Sequence, residues 1–372
     1  MLAADIRQLF PGLENTIYLN TATMNVGCAP ARKAYEQAVE RWTAGRFDWT
    51  EAEQDGEDAR GMFAEIIGAT AGEIAIVPSV SAAAGIVAAN MPTAVRGESV
   101  VVAENEFASN YFPWLLLRER GYEIRSIAPA GEGVSAAEFG TAADGGTRLI
   151  AVSAVSSANG YRADLNAIGR VAAASGAWFF VDACQAAGAV PLDVVGAGVD
   201  FLASAGHKFL LGSRGMGYLY VRRDLLDSFH PVGPGWKAAR KPAESFYGPA
   251  MDLSPTASRL DTSLAWFPAL ADRAALNIFR QFGTRMLLER NAELSLRLRN
   301  ALTARGQSFE PISNDHNSTI VSVQVDDPGA VMERFREANV VASLRAGRIR
   351  LAVHFYNLEE ELDRVAQLIA HP

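Results

Sequence analysis

Six short apolar runs recur along the chain with helical segments between them: Ile74 to Val77, Ser99 to Ala103, Arg148 to Ser153, Trp178 to Asp182, Phe201 to Ala205 and Gly217 to Val221. Most are continuously apolar rather than alternating in polarity, so strands made from them are buried on both faces. Such strands separated by helices predict repeated βα units, and hence an α/β fold with a mostly parallel sheet flanked by helices. The intervening helices carry their own signals. Asp164 can cap a helix with Leu165, Ile168, Val171 and Ala172 on one side, and Gly176 can end it. After Pro30, residues Ala31, Ala34, Tyr35, Ala38, Val39 and Trp42 recur at helical spacing.

A chain of 372 residues with 49% hydrophobic content is longer than one domain usually needs. From Pro231 to Pro268 it is rich in Pro, Gly and Ser with little apolar period, which reads as linking loops. Beyond this stretch Leu287, Leu294, Leu298, Ala301 and Leu302 mark an amphipathic helix. It leads into a smaller α/β region with strands at Thr319 to Val325 and Arg348 to Val353, and helices at Pro328 to Ala338 and Leu358 to Ala370. The expected division is a large domain, 15–262, and a small domain, 263–372, that takes in the N-terminal segment 1–14.

Composition excludes several partners. The net charge of −8 is spread without basic or acidic blocks, which argues against a nucleic-acid track and an anionic membrane surface. The longest uncharged run, Ile74 to Val95, is interrupted by Pro78, Ser79, Ser81, Asn90 and Pro92, so it is not a membrane span. Asp5 and Arg7 interrupt the N-terminus, which does not read as a secretory signal. Cys28 and Cys184 form neither a disulfide framework nor a metal cluster, and no metal is expected. Together these features fit a reducing, cytoplasmic compartment.

Two of the apolar runs lead to functional groups. Phe-Phe-Val-Asp-Ala-Cys-Gln presents Asp182, and Ala-Ser-Ala-Gly-His-Lys presents Lys208. A lysine at the edge of a buried strand loses hydration, which lowers its pKa and frees an amine to attack a carbonyl. A carboxylate one unit away can hold a cationic ring nitrogen. The pair suits pyridoxal 5'-phosphate, whose aldehyde condenses with lysine and whose protonated ring draws electrons. At Val77-Pro-Ser-Val-Ser81-Ala82 a strand turns into a helix of small residues, where free amides and the Ser81 hydroxyl favour a phosphate. Phe107, just beyond the strand ending at Ala103, can stack on a planar ring.

Taken together these residues resemble the class V aminotransferase and cysteine desulfurase family of fold type I pyridoxal phosphate enzymes. The resemblance runs over nearly the whole chain. It opens at Ile-Tyr-Leu-Asn-Thr-Ala, 17–22, and is strongest from Val181-Asp-Ala-Cys-Gln through Gly206-His-Lys to Gly212-Ser-Arg-Gly-Met-Gly-Tyr-Leu-Tyr-Val221. It implies that Lys208 carries the cofactor as a Schiff base, that Asp182 pairs with the ring nitrogen and that Gln185 reaches the ring hydroxyl. His207, Ser81 and Ala82 would face the phosphate, and Phe107 would stack on the ring. The family's serine before Gly-His-Lys is replaced by Ala205, leaving Ser204 or backbone as substitutes, and Ser157 stands where relatives have an asparagine. Arg350 matches the arginine that clamps a substrate carboxylate, a role suited to a planar fork of donors, with Arg345 as a second candidate. Asn25 falls in a loop that would line the substrate pocket. The family's dimers imply a homodimer with active sites at its interface, where Ser263, or Thr262, would reach the partner's cofactor phosphate.

The cofactor alone does not select a reaction. No cysteine follows Cys184, so persulfide relay by a cysteine of the C-terminal domain is not expected. The reading is an enzyme acting at the α-carbon of a small amino acid, first as an aminotransferase. A cysteine-independent C–S or other β-lyase and an epimerase resembling the isopenicillin N type follow. From other classes, a catalytically silent cofactor-binding scaffold and a nicotinamide oxidoreductase stay open, although no strand is followed by the three-glycine phosphate turn of the latter. Trp236, Phe246 and Tyr247 suggest a moderately apolar substrate.

Overall fold

The apolar runs, joined by one strand they did not announce, form a seven-stranded sheet among the described residues. A computed structural model describes residues 2–311 and 313–370; Met1, Ile312, His371 and Pro372, all within the expected small domain, lie outside it. The strands are β1 (Ile74–Val77), β2 (Ser99–Ala103), β3 (Glu123–Ile127), β4 (Thr147–Ser153), β5 (Trp178–Asp182), β6 (Phe201–Ala205) and β7 (Gly217–Val221). Their order is β1-β7-β6-β5-β4-β2-β3. β7 runs antiparallel to β1 and β6, and the other neighbours are parallel. β3, unlike the other edge strand β1, escaped the sequence reading because polar residues interrupt it. Its Glu123 and Arg125 face solvent and pair with each other, so it has no apolar run.

The principal helices are α1 (Ala29–Thr43), α2 (Trp49–Ile67), α3 (Val80–Asn90), α4 (Leu165–Ser175), α5 (Trp266–Phe282), α6 (Thr284–Thr303), α7 (Pro328–Glu337) and α8 (Glu359–Ala370). Side-chain alternation along the sheet divides the core in two. Val101, Ile150, Val181, Leu202 and Tyr218 pack against α2, α4 and α5. Val102, Leu149, Phe180, Ala203 and Leu219 pack against α3. Helix ends follow local chemistry: Asp164 caps α4 through the Ala167 amide, and Gly176 ends it in the left-handed conformation.

A second sheet holds β8 (Ser308–Glu310), β9 (Ile320–Gln324), β10 (Ser343–Arg345) and β11 (Arg348–Ala352), antiparallel in the order β10-β11-β9-β8. Leu294, Leu298 and Leu302 of α6 join residues of α7 and α8 on it as a separate core. Core membership sorts the chain differently from the expected 15–262 and 263–372 division. Helix α5 buries Ala269, Ala275 and Phe279 in the large-sheet core, as do Ile6, Phe10 and Leu13, whereas Ile17 and Leu19 pack in the small-sheet core. The Pro- and Gly-rich stretch before α5 marks a long connection, not the place where one core gives way to the other.

β2, β4, β5 and β6 run parallel, so their carboxyl ends open on one edge of the sheet. That is where ligand sites form in α/β folds. Arg350 of the small sheet reaches this edge through the Ser157 carbonyl.

Candidate active site

Asp182 ends β5 and is 5% exposed. Its Oδ1 accepts the Cys184 amide at 2.8 Å, and it has no ion-pair partner among the described residues. Burial raises its pKa, against the Cys184 hydrogen bond and the nearby Lys208 charge. Lys208 is half-buried beyond β6, with Nζ 5.7 Å from the centroid of the Phe107 ring. That ring is 55% exposed. Gln185 donates from Nε2 to the Ala22 carbonyl at 2.9 Å, while its buried Oε1 has no partner. The structure thus brings Asp182, Lys208 and Phe107 to the open sheet edge.

The turn holding His207 and Lys208 is fixed from below by Asp272 of α5. A Cβ on Gly206 or on Gly212 would meet the Asp272 carboxylate at 2.4 Å, which is why this turn needs glycine at both places. Asp272 accepts the Ser213 amide and the Tyr218 hydroxyl. Burial pushes its pKa up to about 7 despite these hydrogen bonds. Asn25 closes the turn from the other side: its amide donates to the His207 carbonyl at 3.0 Å and its Nδ2 to the Gly212 carbonyl at 2.7 Å. Asn25 therefore fastens the lysine turn through its backbone amide and a side-chain hydrogen bond. Burial, followed by the charges of Lys208 and Arg214, brings His207 down to about 4, so its imidazole is neutral near pH 7.

At the start of α3 the cap is Ser79, whose Oγ accepts the Ala82 amide at 3.2 Å. Ser81 is exposed, with its hydroxyl 3.0 Å from that of Ser79. The Ala82 amide is thus engaged by the cap. Ser204 shares the sheet face of Leu202, opposite α3, and its hydroxyl points to the Ala183 carbonyl at 3.5 Å. It does not join Ser79 and Ser81, because strand alternation turns neighbours of Ala205 the other way. Ser263 and Thr262 are exposed on the loop before α5. Trp236 and Phe246 pack on Trp49 at the start of α2, and Tyr247 is exposed.

Arg350 is 2% exposed on β11. Its Nε donates to the Ser343 hydroxyl at 3.1 Å, one terminal nitrogen to the Ser157 carbonyl at 2.7 Å, and the other to the Thr23 hydroxyl at 2.6 Å. All three acceptors are neutral. Burial, then the Arg345 charge, lowers its pKa to about 10. Arg345 itself is exposed near the turn between β10 and β11. Ser157 takes part through its backbone carbonyl.

A profile of the aminotransferase class-V family matches residues 33–365. The chain belongs to this family. The class-V chain is 29% identical over 371 residues to an uncharacterized aminotransferase, YcbU, of Bacillus subtilis, covering 99% of itself and 98% of that protein. It is 28% identical to a probable cysteine desulfurase of Methanothermobacter thermautotrophicus, covering 99% and 98%. Among solved structures it resembles a complex of the cystine C–S lyase C-DES with its product cysteine persulfide, with a TM-score of 0.85, 23% identity and coverage of 97% and 99%. The class-V protein is a pyridoxal phosphate-dependent enzyme.

The residues present fit that cofactor. A buried carboxyl group without a cation suits a protonated ring nitrogen, the unpartnered Gln185 Oε1 can accept a ring hydroxyl, and an amine lies above an exposed aromatic ring. Several residues that hold these groups in place were missed in the sequence. Asp272 is a lone acid on the apolar face of α5, a signal that was available. Thr23 gave none, because its bond to Arg350 joins segments far apart in the chain; Ser343 is the cross-strand neighbour of Arg350 on β10, a strand the sequence reading did not include.

Proposed function

We propose that the enzyme removes the α-proton of a small amino acid, with Lys208 as the base, and that its reaction is transamination. The observation that carries this reading is Arg350: a buried guanidinium with three neutral acceptors, joined by Ser157 to the edge where Lys208 and Asp182 lie. Bound pyridoxal phosphate would supply an electron sink that weakens the bonds to the α-carbon. Arg350 would bind the substrate carboxylate and so orient the α-carbon. Asp182 would hold the proton on the ring nitrogen, Gln185 would meet the ring hydroxyl, and Phe107 would cover the ring face. The Nζ of Lys208 would take the α-proton and return it elsewhere. At the phosphate end, His207, Ser79 and Ser81 would donate hydrogen bonds.

Persulfide relay is disfavoured by both thiols. Cys28 is fully buried, and burial followed by the Asp182 charge pushes Cys184 up to about 12. The same observation supports the second reading, a C–S lyase that releases sulfur without a cysteine carrier. A homodimer is supported by the exposed Trp42, which packs on Phe267, and by the exposed Tyr247 beside Phe246 in the chain, and sedimentation tests it. No helix among the described residues is long and apolar enough to cross a membrane. A cytoplasmic location is supported by the two free cysteines.

An amino-acid panel followed by absorbance, keto acid, ammonia and sulfide separates the reactions. Transamination yields pyridoxamine phosphate and a keto acid without ammonia. Ammonia or sulfide release would replace this reading with the lyase, and racemised substrate would replace it with the epimerase. The Lys208→Ala variant should lose the borohydride-reducible adduct and about 10²- to 10⁴-fold in rate. A retained adduct would refute Lys208 as the attachment point.

A further inference from the structure

Glu106 precedes Phe107 on the turn that leaves β2, and its carboxyl group fastens that turn to the end of β4. Its Oε1 accepts the Ser153 amide at 2.6 Å, and its Oε2 accepts the Ser153 hydroxyl and, at 2.9 Å, Asn110 Nδ2. Asn110 is buried, donates its own amide to the Phe107 carbonyl at 2.8 Å, and accepts Trp114 Nε1 at 3.3 Å. One side chain therefore braces both ends of the short segment that presents the Phe107 ring. Ser153, its anchor, ends β4 in register with Asp182 at the end of β5.

The same placement sets a second acid beside the first. Glu106 has no ion-pair partner among the described residues, and the Asp182 charge acts on it. Burial pushes its pKa up to about 7, against its bonds to Ser153 and Asn110, with Asp182 adding to the rise. The titratable groups around it are Asp182 at the end of β5, Tyr161, which lines the same small cavity, and Lys208, whose charge acts on Asp182.

We propose that Glu106 is a positioning residue of the cofactor ring site: it sets Phe107 against Lys208 and gives a cationic ring held by Asp182 a second carboxyl neighbour. This rests on the reading that Asp182 and Lys208 hold pyridoxal phosphate. A cation between two acids keeps its proton to higher pH than one beside a single acid, so Glu106 would extend the pH range over which the bound cofactor stays protonated.

The test uses the full chain stripped of cofactor and reloaded with pyridoxal phosphate. Glu106→Gln preserves shape and removes the charge. It should weaken the cofactor Kd about tenfold and lower the midpoint of the bound cofactor's absorbance titration by about one pH unit. Glu106→Asp, which restores the charge on a shorter stem, should recover the midpoint while leaving the Kd weakened. A simple structural brace would move the Kd but not the midpoint. Should Glu106→Gln fail to fold, Ser153→Ala removes one anchor hydroxyl and should weaken the Kd about threefold. Wild-type Kd and midpoint in the Glu106 variants, or in Ser153→Ala where it is the substitute, overturn the proposal. If Asp182→Asn loses the cofactor in that same experiment, the site reading survives alone. If Asp182→Asn and Lys208→Ala both load like wild type, the site reading fails and the proposal falls with it.

Discussion

Arg60 and Arg350 are both almost wholly buried, yet their charges are answered in opposite ways. Arg60, on α2, donates to Asp261 and to Glu57 and makes ion pairs with both, and Glu57 is shared with Lys237. Burial pulls the Arg60 pKa down, but the two carboxylates more than reverse this and leave it above its ordinary value. Arg350 meets two hydroxyls and a carbonyl, and its pKa falls. A buried charge without a counter-ion is costly, because neutral acceptors replace only part of the lost hydration. The Arg60 cluster is complete within the chain, whereas Arg350 has only neutral acceptors, leaving its charge for the proposed substrate carboxylate.

Lack of an ion pair is not sufficient by itself. Arg299 of α6 also donates to carbonyls, those of Pro311 and Ile320, and burial lowers its pKa to about 10. Its acceptors belong to the loop and strand at the end of the small sheet, Glu132 acts on its charge, and it lies over the Phe309 ring. What distinguishes Arg350 is its neighbours: Thr23 from the N-terminal loop and Ser157 from the large-sheet edge converge on it. A charge becomes a candidate for binding when unlinked segments meet around it beside the carboxyl edge of the sheet.

The largest effect separating the two arginines should come from Arg60→Leu. Removing one member of a buried pair strands Asp261, which is 1% exposed, and should cost about 3–5 kcal/mol in urea unfolding. The folded fraction should keep its kcat/KM. Changing Asp261 to Asn in the same chain should return part of the loss, since the stranded charge is gone and Asn can still accept the Ile76 amide. A large fall in kcat/KM with little loss of stability would erase the contrast.

Arg350→Leu should do the reverse. The lost two-point contact should lower kcat/KM roughly 10- to 100-fold, while stability changes by about 1 kcal/mol, because the lost hydrogen bonds are offset by relief of the buried charge. A carboxylate substrate analogue should raise the melting temperature of the wild type but not of the variant. Equal stabilisation of both would remove Arg350 from the substrate site.

The sequence revealed the large sheet through the runs that became β1, β2 and β4 to β7, and it singled out Asp182, Lys208 and Phe107, which the structure brings to one sheet edge, because each follows or ends such a run. It was weaker where a role depends on which way a side chain points. Ser81 and Ser79 lie two residues apart at one helix start, and only the backbone there decides that Ser79 caps it. Ser204 adjoins Ala205 but faces the other side of the sheet. Asn25 looked like pocket lining because its loop is near the site, whereas its bonds to His207 and Gly212 join segments far apart in the chain. Periodicity encodes burial; it does not encode these meetings.

The smallest effect should appear in acid and sharpens the contrast at opposite ends of the pH scale. Burial raises the Glu57 pKa, but Arg60 and Lys237 outweigh it and bring it from 4.5 to about 2. An acid whose folded pKa is depressed contributes stability fully above its unfolded value, and loses it as pH falls from about 4.5 toward 2. Arg350, a base lowered to about 10, binds its proton less tightly when folded than when unfolded. Its burial penalty is therefore relieved as pH rises from about 10 toward the ordinary arginine value, with no effect in acid. The melting temperatures of wild type and Glu57→Gln should thus converge between pH 4.5 and 2, whereas those of wild type and Arg350→Leu should keep a constant separation there. Because the Glu57 side chain is 41% exposed, solvent screens the interaction, and added salt should shrink the gap. A wild-type to Glu57→Gln gap that stays flat through this range would show that Arg60 is satisfied by Asp261 alone, and the closed cluster would then reduce to one pair.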